Sequence, residues 1–173
     1  MRDWIALFSR TGTEIANITD RLGHAPRKTI TNKSPGDKIN KRVPKVMYVR
    51  DTPTEDEYGS FLTPGALITL HGWMRIIPDS ICKEYEIYNL HPGLITKYPE
   101  LKGKDPQDKV FALPDLPETV GCVIHRAIGE VDSGEVYMER SSSNTFPSPS
   151  RLTEYLHDMS TDMWVDFLSH QLH

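Results

Sequence analysis

Cysteine is scarce in this sequence. Cys82 and Cys122 stand far apart and outside any CxxC spacing, so neither a zinc site nor a disulfide framework is expected. Two buried thiols in a reducing compartment are expected instead, and the chain reads as cytoplasmic. Long apolar runs are missing too. Nothing approaches the roughly 18 residues of a membrane helix, and the apolar part of "MRDWIALFSR" is too short for a signal peptide. No membrane partner is expected. Positive charge is not in excess: the net charge is −4, with no basic tail, which argues against a nucleic-acid partner. The loop "SRTGTE" (9–14) has a single glycine and is no dinucleotide fingerprint.

What is present suits one domain over 1–173. The 173 residues are 38% apolar and 25% charged, enough for a core in an ordinary globular protein. "WIALF" (4–8) is a continuous apolar run, typical of a strand covered on both faces. Ile15, Ile18 and Leu22 then recur at helical spacing, and Gly23 is the stop. Further strands are expected at 27–33, 45–50, 65–74 and 84–91, the third of these ending at His71-Gly72. The acidic stretch 51–60 holds at most a short helix, and the proline-rich 92–118 reads as a long loop with one helical turn. Strands at 120–128 and 135–140 flank "GEVDSG", a hairpin turn. A polar linker (141–150) leads to a last helix over about 150–170, carrying Leu152, Leu156, Met159, Met163 and Phe167 on one stripe, with Ser150 as N-cap. The pattern predicts an α/β fold: a mostly parallel central sheet, an antiparallel C-terminal hairpin, and helices on both faces.

In such sheets ligands bind beyond the carboxyl ends of the strands. Four polar clusters fall there. "SRTGTE" could point backbone N–H groups at a phosphate, or could merely start a helix capped by Thr11 or Thr13. Asn89 and His91 lie two apart on a strand, hence on one face, where two donors can hold a developing oxyanion; a hydrogen-bonded strand end is the plainer reading. Asp132 either caps its turn or serves His91 as a carboxylate partner and proton relay. His125 either supports Asp132 or is an exposed strand histidine. Met74, Arg75 and Ile76 form a wall, part apolar and part cationic, that suits a flat heterocycle bearing carboxylates, or else begin a helix.

Taken together, these segments resemble the folate-dependent formyltransferases. "NLHPGLITKYPEL" is similar to the family's N-x-HPSLLP-x-Y-x-G segment, and "GCVIHRAIGEVDSG" to its G-x-x-x-H followed by D-x-G. "HGWMRII" resembles "GFMRIL", and "LFSRTGTEIANI" resembles "LISGNGSNLQAI". The likeness runs in order over about 4–140 and is nearest to the phosphoribosylglycinamide branch. It implies a Rossmann-like formyltransferase fold and a catalytic trio of Asn89, His91 and Asp132, supported by His125. It implies 10-formyltetrahydrofolate as co-substrate, against Arg75, Ile76, Ala127, Ile128, Gly129 and Val131, and it calls for no metal. It also implies a phosphorylated amine acceptor held by Arg10, Thr11, Gly12, Thr13 and Met74. Residues 1–90 would then be the acceptor half and 91–140 the folate and catalytic half.

The departures concern the acceptor. Glu14 stands where the opening loop has asparagine, and His157 and Ser160 stand where the last helix carries acceptor contacts, among them a glutamate for the ribose hydroxyls. Substituting Glu at Ser160 is therefore expected to improve binding of ribose-bearing acceptors. Glycinamide ribonucleotide is the default acceptor. A different amino ribo- or deoxyribonucleotide, a formyl-folate hydrolase, and a non-catalytic folate or nucleotide binding module remain alternatives, and pairing into a homodimer is left open.

Overall fold

A strand covered on both faces needs apolar side chains pointing both ways. β1 (Trp4–Phe8) has them and is buried throughout. Trp4, Ala6 and Phe8 enter one core cluster and Ile5 and Leu7 the other. The computed structural model describes residues 1–173. Its seven-stranded sheet has the order β3-β2-β1-β4-β5-β6-β7. β2 (Lys28–Thr31), β3 (Val46–Tyr48), β4 (Leu67–His71) and β5 (Glu86–His91) run parallel with β1. β6 (Thr119–Arg126) and β7 (Val136–Ser143) are antiparallel. The expected α/β fold, with its antiparallel hairpin, is the one observed.

The helices divide between the two faces. α1 (Thr13–Leu22) packs with α5 (Pro149–Gln171), and their apolar stripes enter the cluster of Trp4 and Phe8. α2 (Glu55–Phe61) and α3 (Asp79–Glu84) cover the opposite face. No helix is long and apolar enough to cross a membrane.

Several local expectations need correction. Residues 141–143 extend β7 rather than belonging to a linker. The cap of α5 is Ser148, whose hydroxyl accepts from the Arg151 N–H, and not Ser150. Pro149 explains the shift, since a proline at the first helical position has no N–H to leave unpaired. The stretch 92–118 holds a 3-10 turn (Pro99–Leu101) and a two-turn helix, α4 (Pro106–Ala112), again started by proline. α3 has only six residues, too few for a periodic signal.

The strand order reverses beside β1 and β4, where Phe8 is the register partner of His71. Crevices open at such switch points. Here the connections after the two strands tie together, with the Met74 N–H donating to Ser9 Oγ at 2.9 Å and the Ser9 N–H to the Gly72 carbonyl at 3.3 Å.

Candidate active site

A cavity of about 900 Å³ opens at the carboxyl ends of β1, β4 and β5. That is within the range for a small-molecule site. It gathers Arg10, Thr11, Gly12, Thr13, Met74, Arg75, Ile76, Asn89, His91, His125, Ala127, Ile128, Val131, Asp132, His157 and Ser160. Of the residues singled out from sequence, Gly129 alone is left off the wall. It faces α3, with its N–H 3.4 Å from Asp79 Oδ1.

Asn89 and His91 share one face of β5, and Asn89 is the register partner of His125 on β6. A register irregularity falls between Ile124 and His125. Such bulges re-aim a side chain. His125 is buried, not exposed, and its Nε2 lies 3.2 Å from Asp132 Oδ1. The other carboxylate oxygen, Oδ2, lies 3.2 Å from His91 Nδ1 and accepts the Gly103 N–H at 2.9 Å. Asp132 thus joins two histidines and a backbone amide. Its φ of 54° is left-handed, a conformation that aspartate tolerates better than most residues. Two residues on, Gly134 leaves no room for a side chain, since a Cβ there would sit 1.6 Å from the Arg126 carbonyl oxygen. The hairpin closes tightly enough to carry Asp132 into the cavity because residue 134 is glycine.

Burial pushes the Asp132 carboxyl up, but the His125 hydrogen bond, the His91 charge and the Gly103 N–H outweigh it, and the carboxyl titrates below its ordinary value. For His91, burial pushes the pKa down. Asp132 and the Leu101 carbonyl pull it up, His125 and Lys109 push it down, and the net direction is down. The ring is locked by a short bond, 2.7 Å, from Nε2 to the Leu101 carbonyl. A carbonyl only accepts, so Nε2 carries the hydrogen. The expectation of a histidine free to face a reacting carbonyl therefore applies to one ring edge: the longer Nδ1 contact leaves that edge as the exchangeable one.

The β1–α1 loop differs from both sequence readings of its cap. Gly12, at φ 73°, is the N-cap and no side chain caps the helix. Thr11 and Thr13 bond to each other at 2.8 Å, and the loop is tied to Asn40, whose N–H reaches the Thr11 carbonyl at 2.8 Å. The first N–H groups of α1 are left as donors. Arg75 is already engaged: its Nη2 lies 2.8 Å from both carboxylate oxygens of Asp51, and its Nε donates to the Asp51 carbonyl at 3.1 Å. Ile76 is 71% exposed at the mouth of the cavity. Ser160 does not open onto the cavity as a free hydroxyl. It is buried and donates to Glu14 Oε2 at 2.7 Å, while Glu14 Oε1 sits 2.8 Å from His71 Nδ1.

Sequence reading marked Glu14 only as a departure from the family's opening loop, and gave no role to His71, Asp51, Leu101 or Gly103. Leu101 and Gly103 act through backbone atoms, which leave no residue-type signal. Glu14 pairs with residues 57 and 146 positions away.

Residues 12–162 match the formyl transferase family. The chain belongs to that family. Over 81 residues it is 36% identical to phosphoribosylglycinamide formyltransferase of Dictyostelium discoideum, an alignment covering 43% of this chain and 39% of that one. It is 30% identical over 115 residues to methionyl-tRNA formyltransferase of Thermotoga neapolitana, covering 65% and 35%. The chain therefore matches well under half the length of these curated relatives. Among solved structures, the phosphoribosylglycinamide formyltransferase of Streptococcus pneumoniae superposes with TM-score 0.79 at 15% identity over 100% of both chains. Glycinamide ribonucleotide transformylase 1 of Symbiobacterium toebii gives 0.78 at 18% identity, over 96% of this chain and 85% of that one. At such identities the likeness to these family members is one of fold.

Proposed function

We propose that this chain transfers the formyl group of 10-formyltetrahydrofolate to the amine of a small phosphorylated acceptor, with glycinamide ribonucleotide the acceptor to try first. The observation that carries the reading is the convergence of Asn89, His91 and Asp132 on one cavity at the end of β5.

The acceptor nitrogen attacks the formyl carbon, and the carbonyl oxygen becomes an oxyanion. The Asn89 amide donates to it, and so does His91 through Nδ1–H once the ring is charged, the form that the Asp132 carboxylate favours; one such donor is worth about 2.7–4 kcal/mol of barrier. The nitrogen loses a proton, through water, to the Asp132 side, and the same route delivers a proton to the folate nitrogen as the carbon–nitrogen bond breaks. His125 holds Asp132 in place, and no step calls for a metal. Ile76, Ile128 and Val131 form an exposed apolar rim suited to a flat ring, and Arg75 is a cation suited to folate carboxylates. The uncapped N–H groups of α1, with Arg10, suit the acceptor phosphate. On this reading residues 1–90 hold the acceptor and lend Arg75, Ile76 and Asn89 to the other half, 91–140 hold the folate and supply the rest of the chemistry, and the helix over 150–170 closes the acceptor side.

The test is a spectroscopic formyl-transfer assay with a stable 10-formyl folate analogue, following absorbance on deformylation. Glycinamide ribonucleotide comes first, then amino-bearing ribo- and deoxyribonucleotides, with a no-acceptor control. Acceptor-dependent turnover supports the proposal. Deformylation that ignores the acceptor would make the chain a hydrolase, and absence of all turnover would leave a binding module.

A further inference from the structure

Glu14 is the one carboxylate of the cavity that α1, β4 and α5 jointly aim. A directed chain of donors fixes it. The Trp4 indole N–H donates to Thr69 Oγ1 at 2.8 Å, and Thr69 Oγ1 lies 2.7 Å from His71 Nε2. With its oxygen already accepting, the buried Thr69 hydroxyl turns its hydrogen toward Nε2, which leaves Nδ1–H to donate to Glu14. The Trp164 ring, 4.9 Å from that of His71, holds the imidazole in place. Ser160 donates from the other side. Burial pushes the Glu14 carboxyl up, but the pull of His71, Ser160 and the His157 charge prevails and keeps it below its ordinary range. The side chain stays 27% exposed. An ionised carboxylate so held only accepts, and its open lone pairs face the cavity.

Position decides what it accepts. Along the switch point, β1 ends in the 10–13 loop, β4 ends at His71, and β5 ends at Asn89 and His91; Leu70 and Asn89 are register partners. Neighbouring strands are about 4.8 Å apart, so the loop and the reacting site are separated by about 10 Å, the reach of a phosphate, a pentose and an amine in line. Glu14, on His71, stands between the two ends. We propose that Glu14 determines acceptor specificity by accepting hydrogen bonds from the sugar hydroxyls of the acceptor, a task performed from α1 rather than from α5. This rests on the acceptor site proposed above.

The test is calorimetric and needs no formyl donor. Glycinamide ribonucleotide, its 2-deoxyribose counterpart and matched amino-bearing ribo- and deoxyribonucleotides are titrated into the wild-type chain, Glu14→Gln and Ser160→Ala. Wild type is expected to prefer ribose by roughly 10- to 100-fold, the worth of hydrogen bonds to a charged group. Glu14→Gln should erase most of that preference, weakening ribose binding far more than deoxyribose binding, which keeps one sugar hydroxyl, and Ser160→Ala should erase part of it. A ribose-to-deoxyribose ratio near one in wild type would overturn the inference. So would Glu14→Gln tightening both kinds of acceptor alike, which would make Glu14 a repeller of phosphate. Ribose preference without turnover in the assay above would sink the formyl-transfer reading alone; turnover without ribose preference would sink this inference alone. Failure of every acceptor to bind would overturn both.

Discussion

Asp132 Oδ2 faces His91 Nδ1 at 3.2 Å, with both side chains buried. The contact couples their titrations. In Asp132→Asn the negative charge that pulls the His91 pKa upward is gone, while burial still pushes it down. His91 should therefore titrate at lower pH than in the wild type, read by nitrogen NMR of the imidazole. Turnover should drop by about 10²- to 10⁴-fold, the usual worth of acid–base assistance, while binding of the formyl-folate analogue persists. Unchanged turnover would remove Asp132 from the chemistry.

Acid should destabilise the protein in two stages. His91 titrates below its ordinary value of 6.5 in the fold, so between that value and its folded pKa the unfolded chain binds more protons. Stability therefore falls as pH drops below about 6.5. Asp132 and Glu14 also titrate below their ordinary values. Their contribution is present above about pH 4.5 and is lost as pH falls further. Melting temperatures from pH 7.5 to 3.5 should decline throughout, with a flatter acid limb in Asp132→Asn. A maximum near pH 5 would contradict the assignment.

Arg75 and Asp51 make a two-oxygen contact at the mouth of the cavity, and Asp51 is largely exposed. A ligand carboxylate must compete with Asp51 for the guanidinium. Exposed pairs of this kind are worth roughly 0.2–1 kcal/mol. Asp51→Ala should then tighten binding of a folate analogue by about two- to fivefold, and the gain should shrink at high salt. Weaker binding would mean that Asp51 orients Arg75 rather than occupying it.

Ser160→Glu separates the sequence reading from the structure. If Ser160 faced the acceptor, a glutamate there would strengthen ribose binding. Instead it would bury a second carboxylate against Glu14. Loss of roughly 2–4 kcal/mol of stability is expected in chemical denaturation, with weaker acceptor binding. A stable variant with improved affinity would restore the earlier reading.

The readable parts of the molecule are those with a periodic or local cause. Trp4–Phe8 announces its strand because it is apolar on both faces, and Asn89 and His91 announce a shared face by their spacing. Asp132 was legible as a candidate because it sits in a hairpin turn. The Glu14–His71–Ser160 cluster was not legible, since three elements distant in sequence meet only once the sheet has formed. The Leu101 carbonyl was invisible for a different reason: it acts through its backbone, which any residue supplies.

Gly134 links fold to chemistry. The chain passes so close to the Arg126 carbonyl that a methyl group at 134 has nowhere to go. The neighbour is backbone in β6 and cannot swing aside. Gly134→Ala must therefore open the hairpin at the end that carries Asp132, two residues upstream. A cost of about 2–3 kcal/mol is expected from such overpacking. Because His125 and His91 lie on β6 and β5, and Asp132 on the displaced turn, the 3.2 Å contacts should lengthen together. The variant should then lose turnover by more than its folded fraction explains, with acceptor binding at the β1–α1 loop retained. Loss of stability with normal turnover per folded molecule would show that the turn can shift without moving Asp132.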